Sequence, residues 1–330
     1  MKIVFFGTPY YVLPILQTLH KKLKVKGNSP IAAVVTQKPK PAGRKKELKY
    51  SAVDEWAHKR KVPKYYDAND LLKNDVEADI GILASYGKIV PKKVIKLFPH
   101  GILNVHPSDL PLWRGASPVQ ATMISESQVG GSIIKLNEKL DSGPIISQFK
   151  ESVLSEDTTE TLRERLFKIS VDVLVNLIPA HISGKIEPRK QDETKATYTR
   201  QIKKADAFIP PKYVAASLQE LPLQGKWKIE FMKDYATHPS PSTIHNFIRA
   251  MQPWPQAWTT IKIKNQDLRF KILKSHLEPS THHQTLTEPR ASQSRRQSTN
   301  QKLVFDLVQL ESKNPVPWKQ FKEGHNFEFE

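Results

Sequence analysis

The chain has 330 residues and no cysteine, and that absence excludes several kinds of chemistry. Without a thiol there is no cysteine nucleophile, no disulfide framework and no zinc–thiolate site. No apolar run approaches the roughly 20 residues that a membrane-spanning helix needs, so we expect no membrane association. Acidic residues are few beside basic ones, 33 against 51, which leaves a formal net charge of +18. This excess predicts a polyanionic partner, with nucleic acid as the first candidate.

The glycine-rich motifs of common cofactor sites are also missing. After the first predicted strand the chain reads Phe6-Gly7-Thr8-Pro9, where a dinucleotide-binding protein would carry three glycines. Pro9 also removes a backbone N–H that could donate to a pyrophosphate. The Walker A, nucleophile-elbow and His-Glu-x-x-His motifs do not occur either. A nicotinamide or flavin enzyme of the usual kind is therefore unsupported.

The first half of the chain alternates between short apolar runs and stretches with helical periodicity. Strands separated by helices predict βαβ units, and hence an α/β fold with a parallel sheet. A hairpin is predicted to follow, around the turn at Asp141-Ser142-Gly143. The predicted strands are Lys2–Gly7, Ile31–Thr36, Ile80–Ser85, Ile102–His106, Gly131–Leu140 and Ile145–Leu154. The predicted helices are Tyr11–Leu23, Ser51–Lys61, Pro91–Leu97 and a long helix from Thr158 or Thr159.

The second half has a different pattern. From Gly184 to Lys204 the chain is polar and charged, which predicts a linker. Apolar and charged residues then alternate over 261–272, with a turn at Asn265-Gln266-Asp267, which indicates a small β-barrel or sandwich. The stretch 278–301 has little to bury, so we expect a mobile inserted loop there. These boundaries predict an N-terminal domain (1–188), a linker (189–207) and a C-terminal domain (208–330).

Two polar side chains stand out at the end of the predicted strand Ile102–His106. Because side chains alternate along a strand, Asn104 and His106 point the same way and lie roughly 6–7 Å apart. An amide beside an imidazole is suited to stabilising an oxyanion and moving a proton. Asp141, in the Leu140–Gly143 turn, is a candidate to orient the imidazole. Spacing alone leaves open the alternative of a strand-end amide, a surface imidazole and an ordinary turn carboxylate.

Around these residues the sequence resembles a known family. Gly101–Gly115, which reads GILNVHPSDLPLWRG, is similar, together with Leu140–Gly143, to the active-site signature of the folate-dependent formyltransferases. Within that superfamily the resemblance is to the methionyl-tRNA formyltransferases. It extends through separated motifs in the same order, at 6–9, 41–44, 84–87, 191–194, 197–198, 248–250 and 253–255.

The resemblance implies a Rossmann-like catalytic domain, a linker and a C-terminal β-barrel of the oligonucleotide-binding (OB) type. It implies 10-formyltetrahydrofolate as the formyl donor, the α-amino group of methionyl initiator tRNA as the acceptor, and no metal. By position, the catalytic residues that it implies are Asn104, His106 and Asp141. The folate-contacting residues that it implies are Ser108, Asp109, Leu110 and Pro111, with Tyr86 and Gly87 beside the pterin.

The resemblance also assigns part of the positive charge. It implies that the loop after the second strand enters the tRNA acceptor stem, with Arg44 in the place of the family's key arginine and Lys45 and Lys46 beside it. We expect Lys203 and Lys204, in the predicted linker, to extend this tRNA-binding surface. We expect a cytoplasmic monomer, and we expect the Trp254 and Trp258 side chains in the core.

Some residues depart from the family pattern. Pro107 and Asp109 stand where members usually carry glycine and leucine, and a charged Asp109 could repel the glutamate tail of a folate. Other functions also stay open: the same chemistry on an amino sugar or a glycinamide nucleotide, hydrolysis of formylfolate, or a non-catalytic RNA-binding protein. The basic loop and the complete catalytic trio favour formyl transfer to tRNA.

Overall fold

The computed structural model of the chain describes residues 1–24, 27–42, 47–280 and 301–329. Its helices are α1 (Leu13–Lys22), α2 (Ala52–Lys59), α3 (Asp70–Lys73), α4 (Lys92–Ile95), α5 (Pro118–Ser125), α6 (Thr159–Ile182), α7 (Pro211–Leu218), α8 (Pro241–Ala250) and α9 (Trp318–Gly324). Its strands are β1 (Ile3–Gly7), β2 (Ile31–Val35), β3 (Lys40–Ala42), β4 (Glu47–Lys49), β5 (Lys64–Tyr65), β6 (Ile80–Ala84), β7 (Ile102–His106), β8 (Arg114–Gly115), β9 (Val129–Lys135), β10 (Ile145–Glu151), β11 (Tyr198–Thr199), β12 (Trp227–Lys228), β13 (Ala236–Thr237), β14 (Trp258–Ile263), β15 (Gln266–Pro279), β16 (Gln301–Leu310) and β17 (Val316–Pro317). Within these residues, no helix has the length and apolar character needed to cross a membrane.

The chain divides into two units. The first consists of residues 1–115, 128–152 and 163–197, and the second of residues 116–127, 153–162 and 198–330. Residues 189–197, which lie in the predicted linker, therefore fold with the first unit.

A seven-stranded sheet organises the first unit, in the order β10-β9-β7-β6-β1-β2-β5. Strands β7, β6, β1, β2 and β5 run parallel to one another, and β9 and β10 add an antiparallel pair at one edge. Every residue of β1 is buried, as expected of a parallel strand covered on both faces. Helix α2 begins after Ser51, whose Oγ accepts a hydrogen bond from Asp54 N at 3.0 Å. The predicted α/β fold with a mostly parallel sheet is confirmed.

The neighbours of β7 determine what lies beside its polar side chains. In the β7–β9 ladder, Asn104 is opposite Ile134 and His106 is opposite Ser132. The chain leaves β9 at Lys135, earlier than the predicted strand end at Leu140, and returns in β10. The loop between these strands carries Asp141, so this residue is anchored beside β7 from both ends.

The second unit contains a four-stranded antiparallel sheet, in the order β14-β15-β16-β17. A two-residue turn joins β14 to β15 at Lys264 and Asn265, whose φ angles of 49° and 62° suit a tight hairpin. The turn predicted at Asn265-Gln266-Asp267 is thus placed too late, because Gln266 and Asp267 already pair with β14. In the part of the chain that the structure describes, the four strands form an open sheet, and a closed OB-type barrel stays a prediction.

The predicted bounds of the loop over 278–301 are wrong at both ends. Glu278 pairs with Lys302, and Pro279 pairs with Gln301, so the β15–β16 ladder extends into both ends of the predicted loop. Residues 281–300 lie outside the described residues, so their mobility stays a prediction.

The prediction for Trp254 is also wrong, because its side chain is 52% exposed. Trp254 follows the end of α8, in a turn between two prolines, where no helix or strand face directs a side chain inward. Trp258 is half-buried, and the guanidinium carbon of Arg269 lies 4.2 Å from the centroid of its ring.

Because His245 in α8 has a lowered pKa, we expect acid to destabilise the folded protein. Burial, together with the positive charges of Arg249 and His276, lowers the pKa of its imidazole from 6.5 to about 4, while Asp306 acts in the opposite direction. The folded protein therefore keeps His245 neutral at pH values where the unfolded chain binds a proton. As the pH falls from about 6.5 to about 4, we expect His245 to reduce the free energy of unfolding by on the order of 3 kcal/mol. Urea unfolding across this range should show a steeper pH dependence for the wild type than for His245→Gln. Equal slopes would contradict this assignment.

Candidate active site

The structure brings the three predicted catalytic side chains together in the first unit. Asn104 and His106 are buried on β7, with 6% and 5% of their surface exposed, and Asp141 reaches them from the β9–β10 loop. Asn104 Nδ2 donates to Asp141 Oδ1 at 3.3 Å, and His106 Nδ1 lies 3.7 Å from Asp141 Oδ2. One carboxylate is therefore the common neighbour of the amide and the imidazole.

The other ring nitrogen of His106 defines which tautomer is present. Nε2 lies 3.0 Å from the backbone oxygen of Trp113, and a carbonyl oxygen can only accept, so Nε2 carries a hydrogen. Nδ1 faces the Asp141 carboxylate at 3.7 Å, too far for a hydrogen bond. A proton taken up at Nδ1 has this carboxylate as an acceptor nearby. The ring is thus placed to hold or release a proton on the side that faces Asp141.

The Asp141 carboxylate is oriented from two sides. The backbone N–H of Gly115 donates to Oδ2 at 2.8 Å, and Asn104 donates to Oδ1. Asp141 itself has φ = 45°, a left-handed conformation that residues other than glycine, asparagine and aspartate rarely adopt. Aspartate is thus one of the few residues that can occupy this position of the turn.

Gly143, in the same turn, is required by a close approach of the backbone. A Cβ placed on it would lie 1.9 Å from the backbone oxygen of Lys135, whereas ordinary contact begins at 3.4 Å. The Lys135 N–H donates to Pro144 O at 2.9 Å, so the loop closes directly against the strand end that it left. Glycine at position 143 makes this closure possible.

The predicted folate loop, residues 108–111, is tied to its surroundings by hydrogen bonds. Ser108 and Leu110 are buried. Gln148 Nε2 donates to the backbone oxygen of Leu110 at 2.8 Å, and Ser132 Oγ donates to that of Ser108 at 2.8 Å. The side chains of Ser108 and Leu110 therefore shape the loop, and the other two residues of the loop are partly exposed.

Asp109, one of the departures from the family pattern, lies among polar and positive groups. Its Oδ1 accepts from Gln148 Nε2 at 3.1 Å, and Gln148 Oε1 accepts from Arg189. Burial raises the pKa of the Asp109 carboxyl, while the charges of Lys150 and Arg189 lower it. Lys150 and Arg189 thus offset part of the effect of burial on the Asp109 carboxyl.

Tyr86 and Gly87 differ in what they offer to a ligand. The Tyr86 ring is 1% exposed and packs edge-on against Phe6, with ring centroids 5.8 Å apart. Burial raises the pKa of its hydroxyl to about 12. Gly87 is exposed, has φ = 77°, and could not carry a Cβ without coming within 2.5 Å of Gln37 Nε2. The Tyr86 ring therefore belongs to the core, and Gly87 is the residue of the pair that is open to a ligand.

Sequence reasoning missed three residues that complete the site. Arg114 Nη2 donates to Gln191 Oε1 at 2.8 Å, and Gln191 Nε2 donates to the backbone oxygen of Asp141 at 2.8 Å. Arg114 Nη1 also donates to Glu193 Oε2 at 2.8 Å. The motif at 191–194 carries part of the family resemblance, which is a signal of importance, but nothing local in it points to Asp141.

The predicted tRNA contacts fall into two groups. Arg44, Lys45 and Lys46 lie outside the described residues. Lys203 and Lys204 are exposed in the second unit, at the start of a single 3-10 turn. The Lys203 N–H donates to Asp206 Oδ2 at 2.6 Å, and Arg200 Nη1 lies 2.6 Å from the same oxygen. This carboxylate fixes the turn on which the two lysines are exposed.

Two protein-family models match the sequence of this chain. The family model described as "Formyl transferase" matches residues 1–178, and "Formyl transferase, C-terminal domain" matches residues 237–326. The chain belongs to the formyl transferase family. The resemblance found in the sequence is thus confirmed, and so is the prediction of a formyl-transferring enzyme.

Two curated relatives bear the same name. The methionyl-tRNA formyltransferase of Buchnera aphidicola subsp. Schizaphis graminum is 33% identical over 262 residues, which cover 77% of this chain and 74% of the relative. The methionyl-tRNA formyltransferase of Listeria innocua serovar 6a is 32% identical over 290 residues, which cover 85% of this chain and 83% of the relative.

Solved structures share the fold. An N-formyltransferase from Helicobacter canadensis, in complex with folinic acid and dTDP-3-aminofucose, matches with a TM-score of 0.61 at 16% identity, over 92% of this chain and 98% of that one. A methionyl-tRNA formyltransferase from Clostridium thermocellum matches with a TM-score of 0.50 at 18% identity, over 94% of this chain and 98% of that one. At these identities the likeness concerns the fold alone.

Proposed function

We propose that the chain transfers the formyl group of 10-formyltetrahydrofolate to the α-amino group of methionyl initiator tRNA. The observation that carries this proposal is the buried trio, in which the Asp141 carboxylate faces both the Asn104 amide and the His106 imidazole. Relatives named methionyl-tRNA formyltransferase, 32% and 33% identical over most of the chain, support the choice of acceptor. We place the enzyme in the cytoplasm as a monomer that works without a metal.

The reaction needs stabilisation of a negative charge. The folate supplies an activated formyl group, whose carbon first forms a bond to the amine nitrogen and then loses its bond to N10. Negative charge develops on the formyl oxygen between these two events. One N–H of the Asn104 amide donates to Asp141, and we assign the other to this oxygen. Because Asn104 is buried, the interaction acts in a medium of low dielectric constant, where it is stronger than in water.

The reaction also moves protons. The attacking amine loses one, and the departing N10 gains one. His106 has an N–H at Nε2 and a second nitrogen that faces a carboxylate, so it is suited to pass a proton, directly or through a water. In its protonated form it also places a positive charge beside the formyl oxygen. We assign to Asp141 the role of facing the protonated ring, whose Nδ1 lies 3.7 Å from its carboxylate, so that the pair resembles the histidine and carboxylate of a catalytic triad.

Basic residues supply the tRNA side of the proposal. The formal net charge of +18 suits a partner that carries many phosphates. From the family resemblance we assign Arg44, Lys45 and Lys46 to the acceptor stem. Lys203 and Lys204, which are exposed in the second unit, are assigned to the tRNA backbone.

Arg44→Ala should weaken the use of tRNA without affecting the folate. Loss of one phosphate contact is expected to raise the KM for tRNA several-fold and to reduce the slope of log K against log[salt] by about 1. Lys168→Ala, which removes an exposed lysine of α6, is the matched control and should change neither quantity. An unchanged rate at sub-saturating tRNA in Arg44→Ala would remove this loop from the proposal.

The choice of acceptor can be tested in one assay. Purified protein is supplied with folate labelled in the formyl group and with one acceptor at a time: initiator methionyl-tRNA, a dTDP-amino sugar, or glycinamide ribonucleotide. We expect kcat/KM for the methionyl-tRNA to exceed the other two by at least about 10³-fold, because recognition that depends on many polar contacts rejects a ligand that leaves them unpaired. Faster labelling of either alternative acceptor would overturn the assignment.

A further inference from the structure

We propose that Gln191, oriented by Arg114, is a positioning residue for the Asp141 carboxylate. Its effect on catalysis rests on the proposed formyl transfer, whereas its effect on the geometry of the site does not. Gln191 is 4% exposed and Arg114 is 1% exposed, although both are polar. Buried polar groups of this kind are costly unless their hydrogen bonds are satisfied, and here the bonds lead to the catalytic turn.

Gln191 uses both ends of its amide. Its Nε2 donates to the backbone oxygens of Asp141 and Gly143, at 2.8 and 2.7 Å. Its Oε1 accepts from Arg114 Nε at 3.2 Å and from Arg114 Nη2 at 2.8 Å. The orientation of the amide is therefore determined, since a flipped amide would set donors against the guanidinium and an acceptor against two carbonyls.

Arg114 is connected to the trio through its backbone as well. The preceding residue, Trp113, provides the oxygen near His106 Nε2, and the following residue, Gly115, provides the N–H that donates to Asp141 Oδ2. The Arg114 N–H itself donates to Thr197 O at 2.9 Å. Arg114 thus lies between two backbone groups that contact both partners of the His106–Asp141 pair.

The conformation of Asp141 explains why such support is needed. Its φ of 45° lies in the left-handed region, which aspartate tolerates but adopts less often than the extended or helical regions, and the turn has no regular secondary structure of its own. Two hydrogen bonds from one side-chain amide fix the backbone on both sides of Ser142. The carboxylate then projects from a fixed base toward Asn104 and His106.

Glu193 completes the arrangement from the solvent side. Its carboxylate accepts from Arg114 Nη1 and Nη2, both at 2.8 Å, in the paired geometry typical of arginine and carboxylate. The hydrogen bond from Arg114 lowers the pKa of Glu193. The Glu193 side chain is 60% exposed, so it holds the guanidinium in place but does not reach the turn.

Gln191→Glu is the variant that tests the proposal. A carboxylate keeps the partner of Arg114 but sets negative oxygens against the backbone oxygens of Asp141 and Gly143, so the turn should be released. We expect kcat to fall about 10²-fold, the loss typical of a catalytic group displaced by about 1 Å, with KM for both substrates changed less than about threefold. Lys190→Gln makes the same change in net charge at the adjacent, exposed position and should leave kcat within about twofold of the wild type.

A second variant tests the coupling to Arg114. Arg114→Lys removes the fork that holds Gln191 Oε1, and it should lower kcat by a similar factor. Because both changes release the same turn, the double variant should lose no more than the worse single variant. Losses that multiply, or a KM effect without a kcat effect, would overturn the positioning role.

A readout without turnover separates this proposal from the proposed function. In protein labelled with ¹⁵N-histidine, the His106 ring signals should shift in Gln191→Glu and stay in place in Lys190→Gln, with thermal unfolding showing that both variants are folded. Unchanged His106 signals in folded Gln191→Glu would overturn the proposal. If the wild type forms no formyl-methionyl-tRNA, the proposed function fails, and the ring signals still decide the role of Gln191.

Discussion

Replacement of His106 by alanine should lower kcat by about 10³-fold or more, because it removes both a proton carrier and a positive charge beside the developing oxyanion. The affinity for tRNA should change little, since His106 is buried on β7 and the proposed tRNA contacts lie elsewhere in the sequence. Steady-state kinetics with formyl-labelled folate, together with a filter-binding measurement for tRNA, gives both quantities. Comparable loss of turnover and of tRNA affinity would mean that His106 is structural.

Two further variants make this experiment sharper. His106→Gln keeps an N–H that can donate to the Trp113 carbonyl but cannot accept and release a proton, so it should be nearly as inactive as the alanine variant. His181 is the matched control, because its Nε2 also lies 3.0 Å from a backbone oxygen, that of His100, in the same unit. His181→Gln should retain kcat within about twofold. Activity in His106→Gln near that of the wild type would exclude a proton-transfer role.

Gly143→Ala adds one methyl group to the active-site turn and should lower both the stability and the activity of the protein. The added Cβ would meet the Lys135 backbone oxygen at 1.9 Å, and a backbone atom that is part of a strand end cannot move aside. We therefore expect the turn to shift, with a loss of about 1–3 kcal/mol in the free energy of unfolding. Displacement of Asp141 by about 1 Å should also lower kcat about 10²-fold.

Gly324→Ala provides the control for this methyl group. A Cβ at Gly324 meets nothing within 4 Å, so the substitution adds the same methyl group without a clash. Urea unfolding and initial rates should show Gly324→Ala close to the wild type and Gly143→Ala impaired in both. Wild-type activity in Gly143→Ala would show that the turn can move without consequence for the trio.

The sequence was sufficient where the structure depends on local periodicity. Alternation along β7 places Asn104 and His106 on one face, and this requires only the pleat of a strand. The continuous apolar run of β1 predicts a strand that is buried on both faces. The hairpin pattern made Asp141 a candidate partner, and the resemblance to the formyltransferases then favoured that role over an ordinary turn carboxylate.

The sequence was not sufficient where distant segments meet. Gln191 lies 50 positions from Asp141 and reaches it because an antiparallel bridge between Ile145 and Arg189 returns the chain to the edge of the sheet. No pattern of hydrophobicity or charge near Gln191 specifies that pairing. The prediction that Trp254 is buried was wrong for a different reason. A tryptophan is usually buried, but a turn between two prolines provides no buried face for its side chain.

Formyl transfer to methionyl-tRNA is tested by measuring both products of one reaction. Purified protein is incubated with 10-formyltetrahydrofolate and initiator methionyl-tRNA, and the tetrahydrofolate formed is compared with the formylmethionine released from the tRNA by mild base. Formyl transfer to methionyl-tRNA predicts equal amounts of the two in the wild type and, over the same time, about 10³-fold less of both in His106→Ala. Tetrahydrofolate without formylmethionine would indicate hydrolysis of the folate, and it would contradict formyl transfer to the aminoacyl-tRNA.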